Sequence, residues 1–158
     1  MPTEVNVVDR HEPTAFGTGR WRALVFLSLA ELLALSLWFS ATAVLPALSR
    51  EWELGDGGRA GLTMAVQFGF IIGTLLSALC NLPDLYSPRT IMAVSIALGA
   101  AVNAALALWA ESLWVALVLR AVTGVCMAGA YPPAMKIMAT WFQKGRGLAM
   151  GILIGALT

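Results

Sequence analysis

The chain alternates between long apolar runs and short polar gaps. Residues 1–20 are polar, with Pro2, Pro13, Gly17 and Gly19, and read as a tail. Four long apolar runs follow, at about residues 23–45 (closed by Pro46), 60–82, 90–110 and 113–138. Each holds 20 or more residues. At 1.5 Å of rise per residue, such a run crosses a hydrocarbon layer of about 30 Å. Backbone N–H and C=O groups find no water in lipid, so a spanning run must be helical. A fifth run, at about 148–158, is too short to span. The pattern predicts an all-α integral membrane protein, with a polar tail at 1–20 and a partial transmembrane domain at 21–158. An open apolar half-helix at the end, "GILIGALT", leads to the expectation of an N-terminal piece of a longer protein. The alternative is a small four-helix membrane scaffold or subunit.

Composition supports lipid as the solvent. Of the 158 residues, 59% are hydrophobic and 12% charged, and the mean hydropathy is +0.79. Soluble domains carry about 25% charge and 45–50% apolar residues. The formal charge of +1 comes without a basic cluster, so no nucleic-acid partner is expected. Cys80 and Cys126 fall in apolar runs at different depths and read as packing residues rather than a disulfide. His11, the one histidine, lies in the tail without a second ligand, so no metal site is expected. "SATAV" at 40–44 has an Ala-x-Ala pattern, but the run before it is long for a signal peptide and contains Glu31, and three more spans follow.

The polar gaps set an orientation, because cytoplasmic loops collect Lys and Arg. Arg10, Arg20, Arg22, Arg89, Lys144 and Arg146 fall on one side. Arg50 and Arg59 fall on the other, with Glu51, Glu53, Asp56 and Glu111. The N-terminus is therefore expected in the cytoplasm. Trp21, Trp52, Trp109, Trp114 and Trp141 sit near helix ends, as in an interfacial aromatic belt.

Charges inside spans are the strongest candidates for function, since one at a helix centre costs at least about 2.5–3.5 kcal/mol and turns toward a cavity or a partner. Counted along the helices, Glu31 lies about 12 Å from the cytoplasmic edge, Lys136 about 8 Å from it, and Arg120 about 10 Å from the outer edge. Depth favours a Glu31–Lys136 ion pair. Snorkelling is the plainer reading of Lys136. Arg120 has no acid at its own depth. It either meets a structural acid elsewhere or presents its planar fork to an anion. Gln67, Asn103, Ser36 and Thr123 read as packing groups, Gln67 also as a cavity candidate.

In "LRAVTGVCMAGAYPPAMK", Ala121, Gly124 and Ala128 share one helix face and allow a neighbouring helix to come close. Pro132 and Pro133 donate no backbone hydrogen bond, so they bend the span and free carbonyls one turn earlier. That makes the segment a candidate gate, with a static kink as the plainer alternative.

Three motifs resemble the major facilitator superfamily. In "CNLPDLYSPRTIM", Asp84, Tyr86 and Arg89 match the acid, aromatic and last base of its helix two–three loop signature. Cys80, Leu85, Ser87 and Pro88 replace a glycine, an arginine, a glycine and an arginine of that signature. Arg120 and Gly124 match the Arg-x-x-x-Gly of helix four. In "WFQKGRGLAMG", Arg146, Gly147, Ala149 and Gly151 match the loop before helix five. The resemblance implies a major facilitator-type helical bundle, here helices 1–4 and the start of helix 5 of the N-terminal six-helix half. It implies secondary active transport of a small solute by alternating access, coupled to an ion gradient, between this half and a missing C-terminal half. Helices one and four would line the path, with Arg120, Glu31, Gln67 and Tyr131 as cavity candidates. Asp84, Arg89, Lys136, Pro132, Pro133 and Arg146 are the gating and ion-pair candidates, Asp84 and Arg89 forming a latch. Tyr131–Pro133 is similar to the nitrate/nitrite and organic-anion branches, so an organic or inorganic anion is the candidate substrate. Nitrate fits poorly, because Gln67 stands in helix two where the nitrate branch has an arginine.

The expected partners are the lipid bilayer, a small solute and the missing half. The expected location is a bacterial inner membrane. No cofactor is expected. Nor is an enzyme, because no nucleophile–base set, zinc spacing or phosphate-binding loop occurs.

The orientation has a direct test. With six basic residues placed inside, Ser87→Cys should resist an impermeant thiol reagent in intact cells and react after permeabilisation. Strong labelling from outside would invert the topology.

Overall fold

The structure, a computed structural model, describes residues 16–142 and 145–155, without the side chains of residues 16–18, 83 and 84. All regular structure among the described residues is helical. The elements are α1 (Phe16–Glu51), α2 (Asp56–Leu79), α3 (Leu82–Leu85), α4 (Pro88–Trp109), α5 (Leu113–Met127), α6 (Tyr131–Trp141) and α7 (Arg146–Gly155). Four segments are long and apolar enough to cross a membrane: Gly19–Glu51, Asp56–Leu79, Pro88–Trp109 and Leu113–Trp141. They correspond to the four predicted runs.

Boundaries differ from the hydropathy pattern for local reasons. Pro46 does not close α1, which runs on to Glu51. A proline removes one bond, to the carbonyl four residues earlier, and crowds that carbonyl; here it is that of exposed Thr42, near the helix end. The start of α4 follows its sequence closely. Ser87 caps it by accepting a 3.2 Å hydrogen bond from the Thr90 N–H, and Pro88 takes the first helical position, where a missing N–H costs nothing. Between α2 and α4 the chain turns through Asn81 at φ 50°, a left-handed conformation that Asn tolerates, and then forms the single turn of α3.

The predicted fourth span is two helices. Between α5 and α6 the chain tightens to three-residue bonds: Gly129 N–H to Cys126 O at 3.0 Å and Ala130 N–H to Met127 O at 3.0 Å. Pro132 and Pro133 sit in the first turn of α6, so the break falls just before them, as the missing N–H groups require.

Packing is uneven, as expected of a bundle in lipid. Buried apolar residues form three small clusters. Leu24, Met138, Phe142 and Leu153 anchor one at the end where α1 begins. Ala34, Met127 and Ala130 fill the middle. Leu54, Leu62 and Ala116 fill the opposite end. Large apolar side chains such as Phe26, Leu79, Leu108 and Trp114 point outward, the face that suits hydrocarbon.

The small-residue face of α5 meets α2. A methyl group added at Gly69 would strike the Ala121 carbonyl, and one at Gly124 would strike the backbone of Val66 and Phe70. Both glycines are needed for the two backbones to lie this close. Gly69→Ala and Gly124→Ala should each destabilise the full-length protein in detergent, by about 1–3 kcal/mol. Gly57→Ala, which would meet nothing within 4 Å, should not lower the melting temperature. Equal melting temperatures for the three variants would contradict the close α2–α5 contact.

Candidate functional site

Two opposite charges are buried inside the spans, and they are held differently. Arg120, on α5, is 0% exposed. Its guanidinium donates to three backbone carbonyls: Nη2 to Trp38 at 2.7 Å, Nη1 to Leu37 at 3.3 Å and Nε to Leu62 at 3.4 Å. The first two acceptors are on α1 and the third on α2. The Trp38 bond is short and strong and the other two are long. No described carboxylate pairs with Arg120. A guanidinium has five N–H donors, so two stay outside these bonds.

Glu31, on α1, is 1% exposed, and its Oε1 is buried with no hydrogen-bond partner among the described residues. It lines a cavity of about 190 Å³ with Leu35, Trp38, Phe70, Met127 and Tyr131. Glu31, Leu35 and Trp38 follow one another at spacings of four and three, so they share one face of α1. Trp38 and Phe70 meet edge to face, with centroids 5.5 Å apart. Tyr131 enters from the first residue of α6, directly after the break.

The other predicted residues fall as follows. Lys136 is exposed whereas Glu31 is buried. Gln67 is exposed on α2. Pro132 is exposed and Pro133 buried. Arg89 is exposed and borders an apolar crevice with Phe26 and Trp141. The Asp84 side chain lies outside the described residues, and with it the Asp84–Arg89 latch. Lys144 lies outside them too. Arg146 is exposed and its Nε donates to the Phe142 carbonyl at 3.0 Å, bracing the turn into α7. Three of the polar span residues make hydrogen bonds, two of them within their own helix. Asn103 Oδ1 is 2.6 Å from Ser40 Oγ, Thr123 bonds the Leu119 carbonyl, and Ser36 bonds the Leu33 carbonyl.

Trp38, Phe70 and Phe142 were not singled out by the sequence. Trp38 and Phe70 give no signal beyond their apolar setting, although Trp38 lies seven residues from Glu31 and so on its face. The Arg20 guanidinium lies 5.8 Å from the Phe142 ring centroid and 6.0 Å from that of Trp21, within cation–π range. Trp21 and Phe142 meet edge to face at 5.7 Å. That cluster ties the start of α1 to the end of α6.

Apolar helices long enough to span, a broken span and buried unlike charges define an α-helical membrane protein with charged groups buried inside its spans. The Major Facilitator Superfamily profile matches residues 24–158, and the chain belongs to that family. It is 33% identical over 135 residues to the Arabidopsis thaliana protein named "Probable anion transporter 4, chloroplastic". The alignment covers 82% of this chain and 24% of that protein, so the chain spans about a quarter of the relative's length. No solved structure matches.

The carbonyl clamp makes a prediction about Arg120. Arg120→Lys keeps the charge but cannot reach carbonyls on two helices with one ammonium. Arg120→Met removes both the charge and its need for acceptors. The lysine variant should lose about 1–3 kcal/mol and fall below the methionine variant in melting temperature and folded yield. A lysine variant as stable as the parent would show that the fork is not what holds α1 and α2.

Proposed function

We propose that the full-length protein carries a small anionic solute across a membrane by alternating access, driven by an ion gradient. The observation that carries this reading is Arg120, a permanent positive charge within a span and with no described carboxylate partner. The relative's printed name, an anion transporter, supports the same class. In this reading α1 and the broken α5–α6 span line the path. An oxyanion takes over donors that Arg120 gives to carbonyls in the present state. Asp84 and Arg89 act as a latch on the side of the N-terminal tail.

Uptake into proteoliposomes tests it, using the full-length protein against phosphate and small mono- and dicarboxylates, with and without an imposed proton gradient. Saturable uptake of one anion class, stimulated by the gradient, is expected. Arg120→Met should weaken its apparent affinity by about tenfold or more. Uptake confined to neutral solutes, or anion uptake indifferent to Arg120→Met, rules the reading out.

A further inference from the structure

A buried carboxylate oxygen with no hydrogen-bond partner among the described residues needs an account. An ionised carboxylate without a partner is costly in an apolar setting, and a protonated one still leaves a donor to satisfy. Ser28 Oγ, one turn earlier on α1, is also buried without a hydrogen-bond partner among the described residues. The cavity beside Glu31 has three aromatic walls, Trp38, Phe70 and Tyr131. Its remaining lining, Leu35 and Met127, is apolar. One carboxylate within several aromatic rings is the chemistry that holds an organic ammonium ion: the rings attract the cation through their quadrupoles, and the carboxylate neutralises it.

A small metal cation is a poor occupant. It needs about six oxygen ligands or more, and among the described lining residues only Glu31 and the Tyr131 hydroxyl supply side-chain oxygen. The volume of about 190 Å³ holds about six water-sized groups at about 30 Å³ each, enough for an alkylated ammonium head.

We infer that the pocket formed by Glu31, Trp38, Phe70 and Tyr131 binds an organic ammonium group. The pocket's affinity for an ammonium ion does not depend on the transport reading.

Tetramethylammonium is the probe, added as its chloride to full-length protein in nanodiscs, with sodium chloride at equal ionic strength as the reference. A saturable rise in melting temperature beyond that of sodium chloride is expected. Affinity should fall by about tenfold or more in Glu31→Gln and in Trp38→Leu. Trp38→Phe, which keeps a ring, should retain more affinity than Trp38→Leu. No stabilisation beyond sodium chloride overturns the inference, as does unchanged affinity in Glu31→Gln. If Glu31→Gln does not fold, Trp38→Leu decides alone: weakened binding supports the site and unchanged binding overturns it. Anion uptake by a protein that ignores tetramethylammonium overturns this inference and leaves the transport reading intact. Tetramethylammonium binding by a protein that moves no solute supports the pocket and overturns the transport reading.

Discussion

A guanidinium cannot shed its charge inside a membrane, so its donors must find oxygen. That constraint organises this domain. Arg120 meets it with main-chain carbonyls of α1 and α2, whose second lone pair is free even when the first accepts a helical bond. Hydrogen bonds to a charged group contribute about 1.5–3 kcal/mol each. The short bond to Trp38 thus offsets much of the roughly 2.5–3.5 kcal/mol that a charge costs at a helix centre, and the two longer bonds add to it. The reach depends on close helices. Gly69 and Gly124 let α2 and α5 approach until a methyl group would strike backbone, which brings the Leu62 carbonyl within range of a side chain on α5. Small residues and buried charge are therefore one device: the first sets the spacing that the second requires.

The break between α5 and α6 places chemistry as well as bending the span. A continuous helix would carry Tyr131 onward along the axis of α5. Instead the chain tightens at residues 128–130 and restarts at Tyr131, with prolines in the first turn. Tyr131 and Met127 then flank one pocket from either side of the break, against Glu31 and Trp38 of α1 and Phe70 of α2. Ala34, Met127 and Ala130 are buried together there, so the irregular backbone is covered by protein, the condition under which a bilayer tolerates it.

Much of this architecture was legible in the sequence, because lipid imposes a simple code of long apolar runs. The four spans, the small-residue face of α5 and the proline break were read from spacing alone. Pro46 misled because a proline near a helix end costs one backbone bond without ending the helix, and α1 runs on to Glu51. The site was less legible. Depth along a helix is one coordinate, and two residues at equal depth can differ in burial: Glu31 is buried and Lys136 exposed. Arg120 was read as seeking an acid or a substrate, because side chains are the partners a sequence displays. Backbone acceptors such as Leu37, Trp38 and Leu62 are available at every position and leave no mark in composition. The aromatic walls around Glu31 were hidden for a similar reason, since in a chain this apolar a Trp or Phe does not stand out.

The two buried charges differ in what they are free to do. Arg120 is engaged by acceptors on two neighbouring helices, so any motion of α1 against α5 must exchange those acceptors for others. In the proposed cycle an anion and the carbonyls of Leu37 and Trp38 compete for the same donors, and binding the anion weakens the hold on α1. Such competition ties occupancy to helix position without a separate relay, because a ligand shifts an equilibrium only by its differential affinity for the two states. Glu31 Oε1 has no hydrogen-bond partner among the described residues. Its pocket is built from α1, α2, α5 and α6 together, so a cation held there would bridge all four and favour the state in which they converge. One charge, in this scheme, resists movement until an anion replaces its acceptors. The other acquires its hold on the neighbouring helices only when a ligand is bound.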